Sequence, residues 1–214
     1  MKELNLLELF KGTGSVGKVA NKMDLDVISL DFLEKYKPDI LTDILDWDYK
    51  TYFKKTNFIP DLIWASPPCN TFSVLAYRLK ERNTKTAEPY SDRAKEGTKI
   101  LYRTLEIIDY CKKLNPKLIF VIENPRGMMR NDPKIQKLNI ATTTYCSYGD
   151  IKFKPTDFFN NINGNLILKD IGSGEKCKHT IGVQELRRLD DRYKMPPLLI
   201  KTILEQMINA YKKI

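Results

Sequence analysis

Leu4-Asn5-Leu6-Leu7-Glu8-Leu9-Phe10-Lys11-Gly12-Thr13-Gly14-Ser15-Val16-Gly17 is the stretch that decides the fold. An apolar run of buried-strand length enters a glycine turn. The Gly12-x-Gly14-x-x-Gly17 spacing then opens a helix, so that a ligand can approach the backbone there. Further short apolar runs at Val27–Leu30, Asp61–Ala65 and Leu118–Ile122 read as strands. Between them, residues 99–110 place Leu101, Leu105, Ile107 and Ile108 near one helical face until Asn115-Pro116 ends the pattern, and Pro197–Tyr211 closes the chain with another helix. Strand and helix alternating in this way predict an α/β fold, a mostly parallel sheet with helices on both faces. Ligands of such sheets bind beyond the carboxyl ends of the strands, where Gly12, Asp31, Pro68 and Glu123 all fall.

With 214 residues and 42% hydrophobic content, the chain is sized for one domain with a small appendage. Its 36 Lys and Arg against 27 Asp and Glu give a formal charge of +9, which favours a polyanionic partner. Cys69, Cys111, Cys146 and Cys177 form no Cys-x-x-Cys pair, so free thiols in a reducing compartment are expected. The opening segment is far too short to span a membrane and runs straight into the glycine turn, and a soluble intracellular protein is expected. From Asn70 to Gly97, Arg78, Lys80, Arg82, Lys85, Arg93 and Lys95 are scattered among polar residues. That stretch reads as a long, basic, mobile connection, either a lid or a solvated surface excursion. A second irregular stretch, rich in Asn and Gly, runs from Asn160 to Glu175.

The glycine turn alone fits a dinucleotide as well as S-adenosylmethionine. Asp31, ending the second strand, is positioned to accept hydrogen bonds from a ribose, and Asp43, in a third strand over Leu41–Leu45, from an adenine amino group. What separates the alternatives is a pair of motifs further on, Ser66-Pro67-Pro68-Cys69 and Glu123-Asn124-Pro125. In this order, downstream of the glycine turn, they resemble the DNA cytosine-5 methyltransferases, whose nucleophile sits in a Pro-Cys dipeptide and whose catalytic carboxylate sits in Glu-Asn-Val or Glu-Asn-Pro. A hydride-transferring dehydrogenase would leave Pro-Pro-Cys unexplained. The resemblance runs from about Leu4 to the C-terminus and is weakest between Ile151 and Leu189. It implies a Rossmann-like fold that binds S-adenosylmethionine through Phe10, Gly12, Gly14, Gly17, Asp31, Asp43 and Pro67. It also implies a catalytic core over 1–150, a reduced target-recognition region over 151–189, and a segment over 190–214 that returns to the core.

Cytosine C5 is a poor nucleophile, and adding a thiolate at C6 activates it provided that N3 is protonated as charge develops. Cys69, held by the stiff Pro67-Pro68 pair, is the expected nucleophile. Glu123, at the tip of a very apolar strand, is the expected proton donor to N3. The family's Gln-x-Arg-x-Arg motif follows a Tyr-Gly step; after Tyr148-Gly149 this chain has Lys152, Lys154 and Thr156 at the three positions. Lysine is a point charge where arginine is a planar fork. This Lys-Pro-Thr form looks like compact phage and viral members of the family. Lys154 is carried over as a catalytic residue and Thr156 as a DNA contact, with Arg78, Lys80 and Arg82 as phosphate contacts from the basic connection. DNA with a flipped cytosine is the expected partner, and the short recognition region leaves room for a partner protein. RNA cytosine methylation is the near alternative, although the second catalytic cysteine usual in such RNA enzymes, in a Thr-Cys context, is absent. A catalytically silent nucleic-acid-binding subunit is the distant alternative. Cys146, Cys177 and His179 lack metal-ligand spacing, and no metal is expected.

Overall fold

The computed structural model describes residues 3–214, apart from the side chains of Leu75, His179 and Leu189. The expected strands form: β1 (Asn5–Leu9), β2 (Asp26–Asp31), β3 (Ile40–Leu41), β4 (Leu62–Ala65) and β5 (Ile119–Pro125). Two more, β6 (Asn139–Thr144) and β8 (Pro155–Asn160), complete a seven-stranded sheet in the order β3-β2-β1-β4-β5-β8-β6. The first five run parallel, while β8 enters antiparallel between β5 and β6. Short strands β7 (Lys152–Phe153) and β9 (Ile181–Gly182) pair separately. The helices are α1 (Ser15–Asn21), α2 (Tyr49–Thr56), α3 (Asp92–Leu114), α4 (Leu189–Tyr193) and α5 (Pro197–Lys213). No helix among the described residues is long and apolar enough to cross a membrane.

The strands are apolar on both faces because both are covered. Alternate residues sort cleanly: Leu6, Leu62, Trp64, Ile119 and Val121 face α1 and α5, packing on Val16, Leu199, Ile203 and Leu204. Leu7, Leu9, Ile63, Phe120 and Ile122 face α2 and α3, packing on Phe53, Leu101, Ile107 and Ile108. Each fully buried side chain of this size contributes about 1.5–3 kcal/mol, so the two layers fix the sheet's register and with it the strand tips. Cys111 is sealed in the second layer, and burial pushes its thiol up to about 12.

Four expectations are corrected. β8 draws Pro155–Asn160 out of the expected recognition region into the main sheet, so the core continues past residue 150. Its signal is weak because Pro155-Thr156-Asp157 opens the strand with polar residues. β3 ends at Leu41, and Asp43 lies beyond it in a turn, where its carboxylate accepts from the Leu45 amide at 2.8 Å. Cys146 and Cys177 are joined in a disulfide, which contradicts the free-thiol expectation for that pair; 31 residues separate them, and local spacing cannot reveal a pair that only folding brings together. Cys69 and Cys111 are free, and His179, weighed with Cys146 and Cys177, lies outside the described side chains.

The fourth correction concerns the basic connection. α3 begins at Asp92, capped by Ser91, so the helix occupies the end of the expected loop. Ahead of it, Arg82 is buried rather than extended toward a phosphate. Its guanidinium donates to Thr71 O (3.1 Å), Ala87 O (3.0 Å), Thr98 Oγ1 (2.8 Å) and Ala94 O (2.5 Å), and lies 3.7 Å from the centre of the Phe72 ring. A side chain that satisfies three backbone carbonyls pins the segment to α3. Arg82→Gln removes these bonds, leaves Thr71 O and Ala87 O without the guanidinium, and is expected to lower unfolding stability by about 3 kcal/mol, measured by urea denaturation. Protease cleavage within 78–90 should rise at the same time.

Candidate active site

The cofactor side is built at the tips of β1 and β2. Gly12 and Gly14 take φ of +49° and +68°, the left-handed region in which a side chain is strained, and the chain turns sharply into α1. Asp31 holds this turn: its Oδ2 accepts from the Gly12 amide at 2.8 Å and its Oδ1 from the Leu33 amide at 2.9 Å. A carboxylate offers about four acceptor positions, so capacity remains for a ligand hydroxyl. Phe10, Gly12, Asp31 and Pro67 line a cavity of about 320 Å³, which Glu8, Ser66, Cys69 and Glu123 also line. An adjoining cavity of about 330 Å³ shares Phe10, Asp31 and Phe32 and adds Asp43.

Gly14 and Gly17 line neither of these, but a polar cavity behind the turn. Gly17 is a packing residue, since a Cβ there would come within 2.8 Å of Glu8 Oε2. This corrects its assignment as a cofactor contact: its missing side chain lets α1 approach β1.

On the catalytic side, two loops are locked together. Asn124 Nδ2 donates to Pro67 O at 2.9 Å, tying the Glu-Asn-Pro tip of β5 to the Pro-Pro-Cys loop after β4. Cys69 O accepts from the Phe72 and Ser73 amides, each at 3.0 Å, and Phe72 O accepts from the Met128 amide at 2.6 Å. Gly127 permits the contact, because a Cβ there would lie 2.2 Å from Phe72 O. Cys69 and Glu123 are therefore fixed with respect to one another, although 53 residues of sequence lie between them. Burial raises the Cys69 thiol, and the Lys154 charge partly offsets that rise.

Lys154 belongs to the same cluster. Its Nζ donates to Tyr145 Oη at 3.2 Å and lies 3.7 Å from Glu123 Oε1, while Tyr145 Oη donates to that oxygen at 3.3 Å. Burial would lower the Lys154 ammonium, but Tyr145, Glu123 and Cys69 outweigh it and hold it charged. Thr156 is fully buried with its hydroxyl turned to Lys154 O at 3.1 Å. This corrects its assignment as a DNA contact, since it shapes the Lys154 turn from inside the sheet.

A wider cleft of about 700 Å³ lies on the far side of Cys69, lined by Tyr77, Leu79, Arg93, Arg126, Phe153 and Arg192 among others. Arg78 and Lys80 flank this lining and are exposed. Cys69, Asn70, Pro125, Lys154 and Tyr193 line both this cleft and the first cavity, so one layer of side chains divides them.

A glycine-turn cavity meeting a wider cleft at a cysteine, on a Rossmann-like sheet, is the arrangement expected of a methyltransferase, and the relatives of this chain are methyltransferases. The chain belongs to the DNA (cytosine-5)-methyltransferase family: it is 30% identical, over 94% of its length, to a probable DNA (cytosine-5)-methyltransferase of Frog virus 3 (isolate Goorha), of which it covers 99%. It is also 25% identical over 75% of its length to an orphan methyltransferase of Bacillus phage rho11s, spanning 31% of that protein. Among solved structures, an Entamoeba histolytica methyltransferase matches with a TM-score of 0.48 and 13% identity, covering 79% of this chain and 58% of that one. A Spodoptera frugiperda DNMT2 mutant matches with a TM-score of 0.45 and 16% identity, covering 87% and 56%. No family model matches the chain.

Sequence reasoning missed Glu8, Phe32, Tyr145 and Tyr193. Glu8 had a signal, a carboxylate inside an otherwise apolar strand. It is 2% exposed, its Oε2 has no hydrogen-bond partner, and burial pushes its pKa from 4.5 up to about 7. Because the folded value exceeds the unfolded one, the folded protein keeps a proton that the unfolded chain releases between pH 4.5 and 7. Stability of the cofactor-free protein should therefore fall by about 3 kcal/mol as pH rises through that window. Glu8→Gln should flatten the slope, read from urea midpoints at a series of pH values.

Proposed function

We propose that this protein transfers a methyl group from S-adenosylmethionine to C5 of cytosine in DNA through a covalent bond between Cys69 and C6. The observation that carries this reading is the lock from Asn124 to Pro67 that sets Cys69 and Glu123 in one wall of the glycine-turn pocket, with Cys69 also lining the wider cleft. The residues present fit the cofactor. Gly12 and Asp31 form a cradle suited to a ribose, Phe10 and Phe32 border the space for an adenine beside Asp43, and the unpartnered Glu8 carboxylate suits an ammonium. When bound, S-adenosylmethionine supplies an electrophilic methyl group.

The chain's own residues do the rest. Cys69 Sγ bonds to C6 as its proton leaves, and Glu123 delivers a proton to N3, so electron density gathers at C5. Lys154, held charged, favours the thiolate and the carboxylate that Glu123 becomes. After transfer the C5 proton departs, the S–C6 bond breaks, and N3 returns its proton to Glu123. DNA is favoured over RNA by the name of the viral relative, and Arg126 at the cleft suits a phosphate, while Arg93 and Arg192 are engaged by Glu81 and by the Leu186 carbonyl. The remaining segment over 161–189 is proposed to carry target recognition, and the segment over 190–214 to close the cofactor pocket.

Cys69→Ser should abolish methylation while leaving S-adenosylmethionine affinity within about twofold, because the cradle lies on other residues. DNA carrying 5-fluorocytosine should trap the wild-type protein as a covalent adduct, seen as a mobility shift on a denaturing gel. An adduct formed by the Ser variant would remove Cys69 as the nucleophile. Glu123→Gln should lower kcat by about 10²–10⁴ with DNA affinity little changed, and a loss of affinity alone would reassign it to substrate positioning.

A further inference from the structure

The cluster around Glu123 contains a tyrosine to which the mechanism so far assigns no part. Tyr145 follows β6 and is fully buried, and its hydroxyl stands between the Lys154 ammonium at 3.2 Å and Glu123 Oε1 at 3.3 Å. The direct distance from Lys154 Nζ to Glu123 Oε1 is 3.7 Å, too long for a hydrogen bond. The phenol is therefore the link between the ammonium and the Glu123 carboxyl group.

Its direction is fixed by chemistry. An ammonium has three donors and no acceptor, so Tyr145 Oη accepts from Lys154 and gives its single proton to Glu123 Oε1. A neutral carboxylic acid accepts at one oxygen and donates from the other. With Oε1 occupied by the Tyr145 hydroxyl, a proton that Glu123 takes up is left with Oε2, the oxygen that Tyr145 does not engage. Glu123 also lines the cofactor cavity beside Cys69.

We infer that Tyr145 is a positioning residue: backed by Lys154, it fixes which oxygen of Glu123 carries the proton and turns the protonated Oε2 toward the base. This rests on the reading of Glu123 as the proton donor to N3. The balance is simple: the O–H bond at Oε2 breaks as N3–H forms, and the resulting charge at Oε1 is met by the Tyr145 hydroxyl, which keeps its proton.

The test uses the full chain, 5-fluorocytosine DNA for trapping and unmodified DNA for turnover, with rates normalised to cofactor-binding stoichiometry. Tyr145→Phe removes only the hydroxyl and should lower kcat by about 10–100-fold, with KM for DNA and cofactor within about twofold. Because Tyr145 acts through Glu123, the Y145F/E123Q double variant should be no slower than E123Q alone. In the Y145F background, Lys154→Arg should restore at least about tenfold, since a guanidinium fork reaches the carboxylate without the phenol. If Y145F folds poorly, Lys154→Met asks the same question, as it removes the group that fixes the hydroxyl's direction; its loss and that of E123Q should likewise be less than multiplicative. A Y145F variant within twofold of wild-type kcat, or losses that multiply in the double variants, would overturn the role. Wild-type protein that neither methylates C5 nor traps would instead overturn the proposed function, and this role with it.

Discussion

The site depends on one hydrogen bond between loops, from Asn124 Nδ2 to Pro67 O. β4 and β5 lie side by side as parallel neighbours, so their carboxyl ends emerge at the same edge of the sheet. Adjacency alone would leave the two loops free to splay. The amide bond, together with the Gly127–Phe72 contact, converts adjacency into a fixed relation between a thiol and a carboxyl group. Pro67 and Pro68 contribute by restricting the loop before the bond forms. The strands beneath are held by two apolar layers, so the precision of the site is inherited from the core rather than from the loops themselves.

Most of the parallel sheet was legible because its strands are continuous apolar runs, and the glycine turn, Cys69 and Glu123 stand in short contiguous motifs. What escaped was non-local or polar. β6 and β8 carry Thr142, Thr143, Thr144, Thr156 and Asp157, and their stability comes from pairing that no window of sequence contains. Asp157 is buried because Arg130 and Thr142 bond it, at 3.0 Å and 2.8 Å. Arg82 misled for the opposite reason: a basic residue in a polar stretch reads as surface until the carbonyls that enclose it are seen. Tyr145 offered no signal, because its partners Glu123 and Lys154 are 22 and 9 residues away and meet it only where the sheet brings the end of β5, the turn after β6 and the start of β8 together.

The two lysines of the Tyr-Gly segment, Lys152 at the glutamine position and Lys154 at the first arginine position, have divided the work. Lys152, whose Nζ lies 5.3 Å from the centre of the Tyr145 ring, donates to the carbonyls of Asp191 (3.0 Å) and Lys194 (2.5 Å), holding α4 and the residue after it in place. Lys35 and Tyr36 fasten the same segment from the other side through Asp190, at 3.2 Å and 2.8 Å. Tyr193 and Met195, carried between these fastenings, therefore reach the cofactor cavity with little freedom. Burial lowers the Lys152 ammonium, and Asp150 offsets part of that. Lys154, with a phenol and two acidic groups around it, is held the other way.

The layer of side chains dividing the two cavities has a kinetic consequence. The cofactor cavity is bordered by the exposed Phe32 and by Lys35, whereas the arginine-lined cleft is bordered by the exposed Val74 and Leu79. Each compartment thus has its own doorway to solvent. A small molecule can therefore enter or leave the first cavity while a larger one stays in the cleft, and the two spaces can fill in either order.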